Sequence, residues 1–217
     1  MTPKEREHDR QSKYRAILEA AVDTFNEHGF HNASLDEVAA RLGITKPTIY
    51  HHVGNKEKIL LDCFEAGVSE LRKSIEEVRD RGGDGLSKLQ AFARVYALNA
   101  TTPFGKLVNR TNESALSKEG AAAFRKLRAE IDRNMRELIQ QGIDDGTIAP
   151  GDVRLMAFAL AGSLSWVARW YDPKGKLSPN DAADGIIQVI VNGLRNHHPV
   201  SESGPTALDG LTPTSTQ

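Results

Sequence analysis

Apolar positions along the chain recur at helical spacing. Tyr14, Leu18, Ala21 and Phe25 step by 4, 3 and 4 residues, one face of a helix. Gly29 follows as a predicted C-cap. Ser34-Leu35-Asp36-Glu37 has the form of a capping box, opening a short helix over Leu35–Leu42 that Gly43 breaks. Thr45 is placed to cap a third helix, with Pro47 in its first turn, where a missing N–H costs nothing. Val53-Gly54-Asn55 ends that helix, and Asn55 can cap the next. Leu60, Phe64, Val68, Leu71, Ile75 and Val78 keep helical spacing up to Arg81-Gly82-Gly83. Further helices are predicted over Asp84–Thr101, through Phe124, Leu127, Ile131, Met135 and Leu138 to about Asp144, over Val153–Tyr171, and over Asp181–Arg195. The stretch from Phe104 to Arg110 is ambiguous. No segment alternates with period 2, so the predicted fold is all-α, with about nine helices.

The last two helices are apolar around most of their circumference, which requires burial on more than one side. A central core helix satisfies this for either one alone. Two such helices together favour a subunit interface, with Phe158, Leu164, Ile186, Ile190 and Leu194 as its predicted residues. From Pro199 the composition shifts: 12 of the last 19 residues are Pro, Gly, Ser or Thr. A tail over 197–217 with so little apolar surface is expected to be disordered.

Leu35–His52 has the dimensions of a helix-turn-helix, whose second helix enters the DNA major groove. Ile44 and Ile49 can face inward. Lys46, Thr48, Tyr50, His51 and His52 exceed what a small core needs, and together with Thr45 they are the predicted base- and backbone-reading set. Ser34 and the helix N-termini at Leu35 and Lys56 offer N–H donors to phosphates. From Arg41 to Lys58 four basic residues meet one acid, a local +3 in a chain with 28 Lys+Arg against 29 Asp+Glu. Phosphate contact calls for such a patch. The overall balance disfavours an indiscriminate polyanion coat, and with it a non-specific architectural DNA binder.

Ser34-Leu35-Asp36-Glu37-Val38-Ala39, Leu42-Gly43-Ile44-Thr45-Lys46-Pro47-Thr48-Ile49-Tyr50 and Lys56-Glu57-Lys58-Ile59-Leu60-Leu61 resemble the N-terminal domain of the TetR family of bacterial transcriptional regulators. Val53 departs from that pattern, since many members carry an aromatic there; a β-branched residue can fill the same core site. The resemblance implies a homodimer, a three-helix DNA-binding domain (1–54), and an effector-binding and dimerisation domain (55–196). It implies release from a pseudopalindromic operator by a small molecule. The turn Trp170-Tyr171-Asp172-Pro173-Lys174-Gly175-Lys176-Leu177-Ser178-Pro179 resembles that of family repressors of lipid and steroid-ring breakdown, which tilts the effector toward an acyl-CoA thioester. Ser178 as N-cap, Pro179 at the first position and Asp181 near the positive end explain the same turn without a ligand. A repressor of an efflux pump sensing lipophilic compounds is the alternative.

With the family's effector pocket inside the C-terminal domain, the candidate lining is Phe64, Phe92, Tyr96, Phe104, Leu107, Asn109, Arg110, Phe124, Trp166, Arg169 and Trp170. Most of the aromatic residues are ordinary core by default. Arg169 between two indoles suits an anionic or flat ligand, or equally an acid across a dimer.

The single cysteine excludes an internal disulfide framework and suits a reducing compartment; Cys63 reads as core. His51-His52 lacks a third ligand at metal spacing, and His197-His198 reads as solvated surface. No cofactor is called for. No nucleophile–base set, carboxylate pair with a base, or phosphate loop marks the C-terminal half, which leaves an enzyme as the remote alternative. The longest uncharged apolar stretch, Leu155–Ala168, is too short for the ~20 residues that span a bilayer. No apolar leader segment opens the chain, and a cytoplasmic protein is expected.

Overall fold

The computed structural model describes residues 2–194; the predicted tail, with His197 and His198, lies outside them. Among the described residues there are nine α-helices and no β-strand. They are α1 (Pro3–Asn32), α2 (Leu35–Leu42), α3 (Lys46–Val53), α4 (Lys56–Asp80), α5 (Gly85–Thr101), α6 (Pro103–Arg110), α7 (Lys118–Asp144), α8 (Val153–Trp170) and α9 (Pro179–Leu194), with a 3₁₀ turn at Glu113–Ala115.

Local chemistry explains most of the boundaries. Asn55, Asp84, Ser117 and Asp152 each accept a hydrogen bond from a first-turn N–H of α4, α5, α7 and α8. Ser178 and Asp181 cap α9 reciprocally: the Asp181 N–H donates to Ser178 Oγ at 3.1 Å and the Ser178 N–H to Asp181 Oδ2 at 3.2 Å. The ambiguous stretch is the helix α6, started by Pro103 and capped by Thr102, whose Oγ1 accepts from Gly105 N.

Three local expectations change. Gly29 does not end α1; its φ of 74° kinks the helix, which continues one turn to Asn32. At Ser34 only half of the capping box forms. Its hydroxyl accepts from Asp36 N, while Glu37 turns away to His28 and Arg41. Thr45 makes no side-chain cap; its hydroxyl pairs with that of Thr48 at 2.9 Å.

Two main cores result. The first joins Ile17, Val22 and Phe25 of α1, Val38 of α2, and Ile49 and Val53 of α3 to Ile59, Leu60, Cys63 and Phe64 of α4. It does not stop at residue 54: Leu107 of α6 and Phe124 of α7 complete it. The second is built from Leu71, Ile75, Leu89, Phe92, Met135, Ile139, Leu160, Leu164 and Ile187. At about 25 cal/mol per Å² of apolar surface removed from water, these interlocking faces dominate the folding free energy. Helix α4 is shared: its first half closes one core and its second half enters the other.

Candidate nucleic-acid interface and effector cavity

Helix α3 is held by Ile49 and Val53, both buried, so its remaining side chains divide by angle. Thr45, Tyr50 and His51 face solvent, Tyr50 being 47% exposed despite its size. Thr48 and His52 turn instead toward α1, where with Lys13, Ala16, Ile17, Leu42 and Ile44 they line a groove. Lys46 Nζ donates to Asp36 Oδ2 at 2.7 Å, and each lowers or raises the other's pKa in the sense that favours the pair. Lys56 Nζ donates to the His31 carbonyl and sits 4.8 Å from the Phe30 ring centre; burial pushes its pKa down.

The local +3 is therefore smaller in space than in sequence. Arg41 is clasped by Glu27 and Glu37, Lys46 by Asp36 and Lys58 by Asp62. Glu27 comes from a helix the linear count left out. Hydrogen bonding from Arg41 holds the Glu27 carboxyl below its usual range, and His28, then Arg41, does the same for Glu37. Glu27, His28 and Glu37 bring three metal-capable atoms within 4.8 Å. The Arg41 guanidinium already bridges the two carboxylates. Ser34 is exposed at the start of α2, with its hydroxyl engaged by Asp36.

In the C-terminal half, a cavity of about 250 Å³ lies between α4, α5, α6, α7 and α8. Val68, Leu71, Val108, Ile131, Met135 and Ala161 give it apolar walls, and Tyr96, Asn99, Asn109, Arg128 and Asp132 contribute polar groups. Tyr96 Oη donates to Asn109 Oδ1 at 3.5 Å, and Asn109 Nδ2 donates to the Gly105 carbonyl at 2.9 Å. Burial raises the Tyr96 pKa, so the phenol stays a neutral donor.

The predicted effector residues do not all converge there. Tyr96 and Asn109 line the cavity. Phe64 and Phe124 stack on each other, ring centres 4.5 Å apart, inside the first core, with Phe104 against its edge, and Phe92 is sealed in the second. Leu107, Arg110 and Arg169 line a separate cleft where α1 meets α6 and α8. Trp166 and Trp170 point outward from α8, 59% and 42% exposed, with Arg169 stacked on Trp166 at 5.3 Å.

The predicted interface set divides too. Leu164 is fully buried in its own protomer's core and cannot meet a partner. Phe158 sits at the cavity mouth, and Ile186, Ile190 and Leu194 are only partly covered. Leu155 and Val189, outside the predicted set, are 64% and 72% exposed. Both helices look apolar all round, and periodicity alone does not say which side the rest of the chain covers. Cys63 is buried with its thiol pKa pushed up by desolvation, the behaviour of a core residue. No described helix is long and apolar enough to cross a membrane.

Comparison with known proteins covers both halves. Residues 17–63 match the family model of bacterial regulatory proteins of the tetR family, and residues 82–194 match that of the tetracyclin repressor-like C-terminal domain. The HTH-type transcriptional repressor KstR2 of Rhodococcus jostii is 24% identical over 186 residues, covering 84% of this chain and 91% of its own. The fatty acid metabolism regulator protein of Bacillus subtilis is 24% identical over 200 residues, covering 86% and 98%. A crystal structure of AibR in complex with isovaleryl coenzyme A and operator DNA superposes with a TM-score of 0.73 at 27% identity, covering 81% of this chain and 96% of that one. With the helix-turn-helix segment and the C-terminal domain both matched, the chain belongs to the TetR family: it is a DNA-binding transcriptional regulator and not an enzyme.

Proposed function

We propose that this protein is a homodimeric cytoplasmic repressor that leaves a pseudopalindromic operator when a small acyl-CoA thioester occupies the α4–α8 cavity. The reader comprises residues 1–54 and the sensor 55–196. One observation carries the reading. Helix α4 has Ile59, Leu60 and Phe64 locked into the reader's core and Val68 and Leu71 in the cavity wall. A ligand that moves the wall must move, or be resisted by, the reader. Helix α6 is a second link: Asn109 lines the cavity while Asn26 of α1 donates to the Pro103 carbonyl at 2.9 Å.

In the proposed complex α3 enters the major groove with Thr45, Tyr50 and His51 leading. Ser34 and the N-terminus of α2 meet phosphate. Lys46, Thr48, His52 and Lys56 take part only after local rearrangement, since Lys46 is paired with Asp36, Lys56 with the His31 carbonyl, and Thr48 and His52 turn toward α1. Dimerisation through the exposed face of α8 and α9 sets the two α3 helices about 34 Å apart, one turn of DNA. The effector acts through its differential affinity for the bound and released spacings. The complex of AibR with isovaleryl coenzyme A and operator DNA supports the thioester class.

The test is a gel-shift titration on the DNA upstream of the protein's own gene, with butyryl-CoA as the probe effector. Tight binding relative to random DNA, lost on adding butyryl-CoA, is the expected result. Binding no tighter than to random DNA at moderate salt refutes the repressor reading. Release by neutral lipophiles but not by the thioester replaces the effector class.

A further inference from the structure

Arginine side chains gather at the cavity mouth. Arg128, Asp132 and Arg136 follow one another at intervals of four residues, on one face of α7. Arg128 and Asp132 line the cavity itself. Opposite them on α8, the Phe158 ring has two guanidinium groups near it, Arg136 at 5.4 Å and Arg154 at 5.5 Å from its centre. Arg136 and Arg154 thus flank the ring at the mouth, while Arg128 and Asp132 line the cavity itself. Asp132 is taken by Arg136 Nη2 at 2.5 Å, and Arg136 Nε is buried with no hydrogen-bond partner. The side chains of Arg128 and Arg154 have no carboxylate partner among the described residues; Arg128 lies 5.6 Å from the Phe124 ring centre and near enough to Tyr96 to oppose the rise in its pKa. By contrast, Arg72 and Arg79, which also reach α7, are each held by a glutamate.

A buried guanidinium N–H left without an acceptor carries a desolvation cost that an incoming anion removes. Guanidinium groups also match phosphate and carboxylate geometry in a way that ammonium does not. The space behind them is small: about 250 Å³, below the roughly 300–1,000 Å³ of pockets for drug-sized ligands. We infer that Arg128, Arg136 and Arg154 form an anion-binding rim, and that the ligand is a short amphipath with a compact apolar body inside and an anionic group at the α7–α8 mouth. Phe158 then serves as the rim's platform rather than as a dimer contact. The inference rests on the cavity being the effector site. It adds that charge at the mouth, more than the apolar fit, sets the affinity, and it excludes long-chain and neutral ligands.

Isothermal titration of the full-length protein tests it with four probes: butyryl-CoA, coenzyme A, butyrate and the neutral S-ethyl thiobutyrate. Two variants are compared with the parent after a circular-dichroism check of folding. Arg128→Gln removes a rim cation without breaking an ion pair, and Ala161→Trp fills the cavity. The expected result is butyryl-CoA binding weakened about tenfold or more by Arg128→Gln and further by added salt. The neutral thioester binds neither parent nor variant measurably, and Ala161→Trp abolishes butyryl-CoA binding. If butyrate shows the same loss, a carboxylate is the anion; if only the coenzyme A species do, it is a phosphate. If Ala161→Trp abolishes binding while Arg128→Gln stays within twofold of the parent, the rim is wrong and the cavity reading stands. If the parent binds none of the four probes, both fail.

Discussion

Gly105→Ala tests whether α6 is held against α4 and α5 by backbone contact. A Cβ built on Gly105 lies 1.9 Å from the Asn99 carbonyl oxygen and 2.7 Å from Asn99 Oδ1. That carbonyl cannot retreat easily, because the Thr102 N–H and hydroxyl both donate to it, at 2.9 and 2.8 Å. Nor can α6 slide freely on its other side, where a Cβ at Gly67 would sit 2.8 Å from Val108 Cγ2. The helix must therefore tilt. Overpacking of this kind costs about 1–3 kcal/mol. Disturbing the Asn99 Nδ2 bond to the Gly67 carbonyl, 2.8 Å long, adds about 1 kcal/mol. The helix preference of alanine returns up to about 1 kcal/mol. The net loss is about 1–3 kcal/mol. Urea unfolding of variant and parent at matched protein concentration reads it as a lowered midpoint with unchanged slope. The tilt also pulls Asn109 from Tyr96, so less release of DNA by butyryl-CoA is expected. A stability change within about 0.5 kcal/mol, as at an ordinary surface site, refutes the close-contact argument.

Two further outcomes follow from the surface. The Glu27 and Glu37 carboxyls are held below their ordinary 4.5, so the stabilisation they supply is present above that value and lost as pH falls through the lowered one. Arg41→Ala should flatten the acid side of the thermal stability profile; a profile that overlays the parent's shows that the cluster contributes nothing. A Cβ at Gly162 of α8 meets nothing within 4 Å in the protomer, so Gly162→Ala alone should raise helix stability by up to about 1 kcal/mol. If the face packs tightly against a second copy, the same variant weakens the dimer in analytical ultracentrifugation, and an unchanged dimer constant removes Gly162 from the interface.

The helices were legible because caps and periodicity are local. Asn55, Ser178 and Pro179 act within one turn of the residues they terminate. The helix-turn-helix was legible for the same reason, although of the residues predicted to face outward from α3 Thr48 and His52 turn toward α1 instead. What sequence spacing did not reveal is long-range. Arg41 counts as free charge until Glu27, fourteen residues earlier, is brought against it. The aromatic residues Phe64 and Phe124 suit a pocket until they are found stacked on one another across the two halves of the chain. Leu164 and Trp166 are two residues apart on an apolar helix, yet one is sealed and the other exposed, because only the packing of α5, α7 and α9 decides which side is inside.

Asn109 and Arg110 carry this argument to the mechanism. They are sequence neighbours on an eight-residue helix, about 100° apart, and they line different spaces: Asn109 the cavity and Arg110 the junction cleft. A helix this short has no room to bend between them, so displacement at one is displacement at the other. Its two ends are fixed differently. The start is clamped by the Gly105–Asn99 contact and by Asn26 on Pro103. The end is tied to the reader's core through Leu107. In the proposed repressor a ligand that pushes Asn109 outward is expected to turn α6 about its clamped start and press its C-terminal end toward the α1 cleft, where His28 meets Glu37 of α2. In the proposed repressor the effector's work is thus delivered to the α1–α2 junction. Weakening the Arg41 cluster should change ligand responsiveness more than it changes DNA affinity in the ligand-free state.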